Sequence, residues 1–338
     1  RQMCIRDSSN ICLQNCPALG LNEQSGPKCI EGNLINTDRQ LIPIRITSTP
    51  LKGIDGKMVG YMETVEDISL IRKLDETTRH AYKFNNIIGR SPEMEKIFQI
   101  LPSLAQSDSS VLITGETGTG KDMVAETIHH SSNRAKGPFV KINCGALPET
   151  LLESELFGHR KGSFTGAIEN KPGRFQQAHN GTLYLTEIGD LPLSLQVKLL
   201  TFLDDKEIFP IGSVKGSIAD VRIIAATHRN LEQRVNDNRF RKDLLFRLNV
   251  IRLHLPPLRD RQGDIQLLLD HFLNNFSTQF DKKMPPLSRK ACKILMTYHY
   301  PGNVRELRNI VEYAVNICRD RQIKPEHLPS YLLNADQV

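Results

Sequence analysis

The stretch that most constrains this chain is Val111 to Asp122, Val-Leu-Ile-Thr-Gly-Glu-Thr-Gly-Thr-Gly-Lys-Asp. Val111, Leu112 and Ile113 are apolar and mostly β-branched, which predicts a short buried strand. Gly115, Gly118 and Gly120 then supply a turn that brings backbone N–H groups together. Lys121 follows, and Met123, Val124, Ala125 and Ile128 open a helix. Strand, glycine loop, lysine, helix is the grammar of a P-loop. Its N–H groups and the positive helix N-terminus hold phosphate oxygens, and the lysine neutralises the terminal phosphates. Gly115, Glu116, Thr117, Gly118, Thr119, Gly120, Lys121 and Asp122 are therefore candidate nucleotide-binding residues. The competing reading is a glycine-rich structural turn; the strand before and the helix after favour phosphate binding. One residue departs from the generic motif: Asp122 stands where Ser or Thr follows the lysine.

The 338 residues allow two or three domains. With 39% hydrophobic and 24% charged residues the chain reads as globular. No apolar run approaches the roughly 20 residues of a membrane span, and no secretory signal is visible. A cytoplasmic protein is the expectation. The net charge of +6 is spread along the chain, which points to solvated surface and phosphate-binding arginines; nucleic-acid contact is not indicated. Seven cysteines, an odd number, argue against a disulfide framework. Cys12 and Cys16 are spaced C-x3-C without a histidine pair, so free thiols are favoured over a metal site.

In chain order, residues 1–9 carry no pattern, and Met3 to Ser8 resembles a translated sequencing adapter. From about Glu31 the pattern is β: Ile42, Ile44 and Ile46 alternate, Asp55-Gly56 signals a hairpin, and Lys57 to Val65 is a second strand. Ser69 to Lys83 is helical in pattern, either a short coiled-coil-like seam (Ile71, Leu74, Thr78, Ala81) or a solvated linker. Ser91 is placed to cap the helix carrying Met94, Ile97 and Leu101. Three more strands follow the first, at 138–142, 182–185 and 221–226. They alternate with helices, and polar residues stand at their C-terminal ends. This predicts a parallel α/β sheet with its ligand beyond those ends. After Leu255-Pro-Pro-Leu258 the pattern is all helical, at 264–280, 288–298 and 303–318.

Eight stretches together resemble the AAA+ central domain of sigma-54-dependent transcription activators. They are Gly115–Asp122, Asn143-Cys-Gly-Ala-Leu147, Glu153–His159, Gly162-Ser-Phe-Thr-Gly-Ala167, Gly181–Asp190, Phe240–Leu248, Leu255–Arg261 and Pro301–Leu307. The resemblance covers about Phe84 to Leu328, and Gly162–Ala167 is its most specific signal. It implies a ring, usually a hexamer, with ATP and Mg2+ at each subunit interface. Lys121, the loop amides, Ile88 and Arg305 (the sensor II position) would hold nucleotide. Glu187 would polarise water, and Asn143 would link phosphate state to Glu187. Thr227 with His228 would be sensor I, and Arg241 and Arg247 the arginine fingers given to a neighbouring subunit. Gly162, Ser163, Phe164, Thr165, Gly166 and Ala167 would form the loop that engages sigma-54 RNA polymerase. For the two arginines the competing reading is a surface ion pair with Asp243.

Three departures accompany the resemblance. Thr186 stands where the family has the aspartate that helps hold Mg2+, so Asp122 and Glu187 become the candidate metal residues and hydrolysis is expected to be reduced. Ser163 replaces a more usual Ala, and Tyr300 a more usual Trp. Residues 10–68 resemble a partial PAS sensor region, with an unrelated small β-unit as the alternative. The expected organisation is this region, a linker at 69–83, an α/β subdomain at 84–258 and a helical lid at 259–338. Most relatives continue into a helix-turn-helix; this sequence stops at Val338, so either the fragment is cut short or the chain does not read DNA itself, and DNA binding is not expected of this fragment. Two functions result: an ATP-driven remodeller of sigma-54 polymerase, or a ring-forming nucleotide-binding regulator that engages sigma-54 and hydrolyses little.

Overall fold

The computed structural model describes residues 27–35, 41–53, 57–69, 83–84, 87–282, 285–320 and 322–333. The expectations for residues 1–9, for the Asp55-Gly56 turn and for nearly all of the 69–83 helix lie outside these residues. The chain divides into two units, 1–81 and 82–338.

In the first unit β1 (Lys28–Ile35), β2 (Leu41–Lys52) and β3 (Met58–Asp67) form an antiparallel meander in that order. Ile46 of β2 stands opposite Ile30 on one side and Val65 on the other. The alternation read from sequence holds: Ile44, Ile46 and Ser48 are buried on one face.

The second unit is built on five parallel strands. They are β4 (Val111–Thr114), β5 (Phe139–Asn143), β6 (Gly181–Thr186), β7 (Val221–Thr227) and β8 (Ile251–His254), in the order β8-β4-β7-β6-β5. β8, an edge strand paired with β4, is the one the sequence pattern does not reveal: Ile251-Arg-Leu-His254 is short and half polar. The sheet separates two cores. Val111, Ile113, Tyr184, Ile224 and Ala226 face α1 (Pro92–Gln106) and α2 (Lys121–His130). Leu112, Leu183, Leu185, Ile223 and Ala225 face α3 (Glu149–Phe157), α4 (Leu193–Asp205) and α6 (Lys242–Leu248). α5 (Leu231–Asn236) follows β7. Strands covered on both faces explain why these segments read as continuous apolar runs.

α7 (Asp264–Gln279), α8 (Arg289–Thr297) and α9 (Asn303–Ile317) form the helical lid around Leu269, Leu273, Tyr300, Leu307 and Ile310. Tyr300 fits as the aromatic replacement: it is buried and its hydroxyl donates to the Leu295 carbonyl at 2.6 Å. Ser91 does precede α1, but its hydroxyl donates to Asp264 Oδ2 at 3.2 Å instead of capping the helix. Asp264 also accepts from the Arg90 and Ser91 N–H groups, so it ties α7 to the start of α1.

A second tie fastens the lid to the glycine loop. Asn303, fully buried at the start of α9, donates to the Thr117 carbonyl (3.0 Å) and to Glu116 Oε2 (3.1 Å). Its own Oδ1 accepts from Leu258 N–H at 2.8 Å. Arg259 grips Glu116 with both terminal nitrogens, at 2.6 and 2.9 Å. Buried Arg261 donates to the Thr119 carbonyl at 2.8 Å. The bonds from Arg259, then Asn303, hold the Glu116 carboxyl down to about 2. A carboxyl depressed on folding stabilises the fold above its unfolded value, and that stability is lost as pH falls toward the folded value. With the Glu116 side chain 43% exposed, screening limits the effect to about 1 kcal/mol. Glu116→Gln is expected to lower resistance to urea by that amount at pH 7. The difference should hold to about pH 5 and shrink below ~4.3. A difference that stays flat down to pH 3 would show that the charge on Glu116 carries none of it.

Candidate functional site

The C-terminal ends of β4, β5, β6 and β7 bring the sequence-predicted residues together. Gly115 N–H bonds the Thr227 carbonyl at 3.3 Å, which fixes the start of the glycine loop to the end of β7. Gly118 has a φ of 84°, and a Cβ there would lie 2.2 Å from the Gly302 carbonyl oxygen, so only glycine fits between loop and lid. Lys121 is buried, and its ammonium donates to the carbonyls of Gly115 (2.7 Å) and Glu116 (3.0 Å). Burial lowers its pKa, partly offset by the nearby charges of Glu187 and Asp122. Arg305 N–H bonds the Gly118 carbonyl at 3.3 Å, and its charge is felt at both Lys121 and Asp122.

Beside the loop lies an apolar cavity of about 70 Å³ between Ile87, Ile88 and Met94 on one side and Leu268, Phe272 and Val304 of the lid on the other, with Thr119 and Gly120 at its edge. Ile88, expected at the nucleotide, therefore lines an apolar slot next to the phosphate loop. A flat heteroaromatic base suits such a surface.

At the end of β6 the sidedness of the strand places Tyr184 and Thr186 toward α2. Thr186 is buried, and its hydroxyl turns to the Ile142 carbonyl at 3.4 Å. Glu187 adopts left-handed backbone (φ 52°), and its Oε2 lies 2.6 Å from His228 Nδ1. Asn143 does not hold Glu187 here; its Oδ1 accepts from Gly145 N–H at 2.9 Å. Thr227 is fully buried and its hydroxyl accepts from Arg229 N–H, so of the sensor I pair it is His228 that reaches the site. Cys144, in the Asn-Cys-Gly-Ala stretch, is a buried free thiol pushed by burial to about 12.

The residues expected at the metal have protein partners in this arrangement. Asp122 Oδ1 accepts from the Tyr184 hydroxyl at 2.9 Å, and Oδ2 binds the Lys141 ammonium at 2.6 Å. Those bonds hold its pKa low against the opposing effect of burial. Asp122 is thus a neutralised anchor between α2, β5 and β6. Thr186 adds no charge, and Glu187 has one of its two oxygens, Oε2, against His228 Nδ1. A divalent ion needs hard oxygens; here both oxygens of Asp122 and one of Glu187 are held by protein partners.

Arg241 and Arg247 lie on the surface at the start and end of α6. Arg241 pairs with Asp243 (2.7 Å), as the competing reading anticipated, whereas Arg247 pairs with Asp204 (2.6 Å). Both pairs are exposed and worth little in water. Arg241 and Asp243 line an open groove together with Leu193, Val235, Phe240 and Phe246.

The Gly162–Ala167 loop closes on itself through Gly162 N–H to Ala167 O (2.8 Å) and Ala167 N–H to Phe164 O (3.0 Å). Gly162 and Gly166 have positive φ with open space around them. Phe164 is 40% exposed and leans edge-on against His159, 5.0 Å between ring centroids, so it neither folds into the core nor stands free. Thr165 and Gly166 are exposed while Ala167 is buried. Ser163 packs on Gly212, and its Oγ is buried without a hydrogen-bond partner. Gly212 belongs to the hairpin joining Glu207–Ile208 to Ser217–Ile218, where Phe209, Val214 and Ile218 are exposed.

Sequence reasoning assigned no role to Tyr184, Lys141, Arg259 or Arg261. The last two lie in a motif already noticed, Leu255–Arg261, whose paired arginines after a Pro-Pro turn were the available signal. Nothing in the local sequence pairs Tyr184 with Asp122.

Residues 87–254 match the sigma-54 interaction domain, and residues 259–338 the AAA+ ATPase lid domain. The response regulator protein PilR of Pseudomonas aeruginosa is 47% identical over 342 residues, which cover 97% of this chain and 76% of PilR. Regulatory protein AtoC of Escherichia coli is 48% identical over 272 residues, 79% of this chain and 59% of AtoC. NtrX from Brucella abortus, crystallised in complex with ATP, aligns with a TM-score of 0.69 at 32% identity, covering 79% of this chain and 59% of NtrX. The chain spans little more than half the length of several curated relatives it matches. Among the described residues no helix is long and apolar enough to cross a membrane. A five-stranded parallel sheet, a glycine loop clamped under a helical lid and these matches agree: the chain belongs to the family of sigma-54 interaction domain proteins, AAA+ P-loop NTPases in fold.

Proposed function

We propose that this chain is an ATP-driven activator of sigma-54 RNA polymerase that works as a homo-oligomeric ring, a hexamer by resemblance, with residues 10–68 a partial PAS-like sensor region. The observation that carries the reading is the joining, in one chain, of a lid-clamped P-loop with a glycine-flanked Phe164 loop. ATP lies with its base in the Ile88 slot and its phosphates on the Gly115–Lys121 amides. Lys121 leaves the loop carbonyls for the terminal phosphates, a trade of two neutral acceptors for anionic ones. Glu187 orients a water and takes its proton as the oxygen bonds to the γ-phosphorus; the bond from that phosphorus to the β–γ bridging oxygen breaks, giving inorganic phosphate and ADP, whose charge is matched by cations around it. Arg241 and Arg247 supply part of that charge to the neighbouring subunit's nucleotide; their weak surface pairs with Asp243 and Asp204 cost little to exchange. Asn143, Thr227 and Arg305 relay phosphate state to Glu187, to β7 and to the lid. Asp122 and Glu187 would be the residues that hold Mg2+, which would neutralise charge on the phosphates.

The Phe164 and Thr165 tip is the surface offered to sigma-54. With the ring trapped by ADP–aluminium fluoride, immobilised sigma-54 is expected to retain this chain, and Phe164→Ala to weaken retention ~10-fold or more with ATP affinity unchanged. Failure of the unaltered chain to bind sigma-54 in that state would contradict the reading.

The second function, a ring that binds nucleotide and sigma-54 yet hydrolyses slowly, is favoured by Thr186 and by the occupied Asp122. Thr186→Asp is expected to raise steady-state ATP turnover about 10-fold or more. Equal, robust turnover in both forms would remove this alternative.

A further inference from the structure

Glu187 is the one carboxylate proposed to act on water, and its geometry is set by an unusual partner. We propose that His228 is the positioning residue for Glu187: its Nδ1–H holds Oε2 and thereby aims Oε1 at the attacking water. This rests on the ATP-hydrolysing reading above. The contact is short, 2.6 Å from Nδ1 to Oε2, with the His228 N–H also 3.4 Å from the same oxygen. A carboxylate accepting from an imidazole N–H is a charge-assisted bond, stronger than a neutral pair and directional. Asn143 makes a different contact here: its Oδ1 accepts from Gly145 N–H at 2.9 Å.

The two residues are also held as a unit from below. Glu187 begins the turn Ile188–Asp190, and Asp190 N–H returns to the Glu187 carbonyl at 2.9 Å. Asp190 is bound by Arg234 at 2.8 Å and by Arg229 at 3.4 Å, and Arg229 is the neighbour of His228. A Cβ on Gly189 would lie 2.8 Å from Thr227 Oγ1 and 3.0 Å from Arg229 Cβ. The backbone after β6 and the backbone after β7 are therefore packed without a side chain between them. The Thr227 carbonyl in turn accepts from Gly115 N–H. A change in the glycine loop thus reaches His228 through one residue and Glu187 through one more hydrogen bond.

The bond requires a proton on Nδ1, the less common tautomer of a neutral histidine in water, and this gives a readout independent of catalysis. In the full chain labelled with 15N-histidine, with the His228 signals assigned through His228→Asn, the imidazole is expected as the Nδ1–H tautomer at pH 7.5 and to revert to Nε2–H in Glu187→Ala. Steady-state kinetics form the second arm. His228→Ala is expected to lower kcat at least ~10-fold with KM for ATP within about 2-fold. His228→Asn, whose amide N–H can stand where Nδ1–H stood, should recover most of the loss. An Nε2–H tautomer in the unaltered chain, or one insensitive to Glu187→Ala, overturns the proposal, as does a His228→Ala chain with kcat unchanged or raised. A chain that turns over no ATP counts against the proposed function, while the tautomer still decides the placement of His228.

Discussion

The wedging of the glycine loop between sheet and lid is the constraint on which the rest of this site depends. One end of the loop is fixed by Gly115 N–H to the Thr227 carbonyl, and its middle by Asn303 and Arg305 at the start of α9. Gly118 sits so close to Gly302 that no other residue would leave the lid in place. Phosphates arriving on the loop must therefore be felt by the lid and by the end of β7, since neither can move without breaking buried hydrogen bonds. Burial of Lys121 prepares the same event: a desolvated ammonium with carbonyl partners gains more from an anionic phosphate than a solvated one would.

A different economy governs the acidic side of the site. Thr186 replaces a carboxylate by a hydroxyl that turns into the sheet, and Asp122 is bonded by Tyr184 and Lys141. The negative charge near Lys121 is thus smaller than the family pattern implies, and what remains is tied into the fold. Glu187, held by His228, is the carboxylate left in a position to act.

Much of this was legible in the residues. The strand–loop–helix grammar of Val111–Ile128, the alternation in Ile42–Ile46 and the helical periodicity after Leu258 all follow from local pattern, and each element stands within a few residues of where the pattern put it. The edge strand Ile251–His254 was not legible because it is four residues long and only one of its faces, that of Ile251 and Leu253, is covered, while Arg252 and His254 are exposed. The diversion of the Ser91 hydroxyl to Asp264, 173 residues away in sequence, and the capture of Asp122 by Tyr184 are long-range choices that no local pattern encodes. The same holds for Glu187. Its identity was readable from its motif, but its partner depended on how closely two turns pack, which a sequence expresses only through Gly189.

If ATP is read between subunits, as proposed above, mixing two kinds of subunit shows it most directly. Lys121→Ala subunits keep their arginines but lack the phosphate-binding lysine; Arg241→Ala subunits keep an intact P-loop but lack the donated cation. Each alone should turn over little ATP. Mixed in equal amounts they should recover a substantial fraction of the unaltered chain's rate, because some interfaces then combine an intact Lys121 with a neighbour's intact Arg241. Full activity in Arg241→Ala alone, or no recovery on mixing two variants that both assemble, would contradict the account.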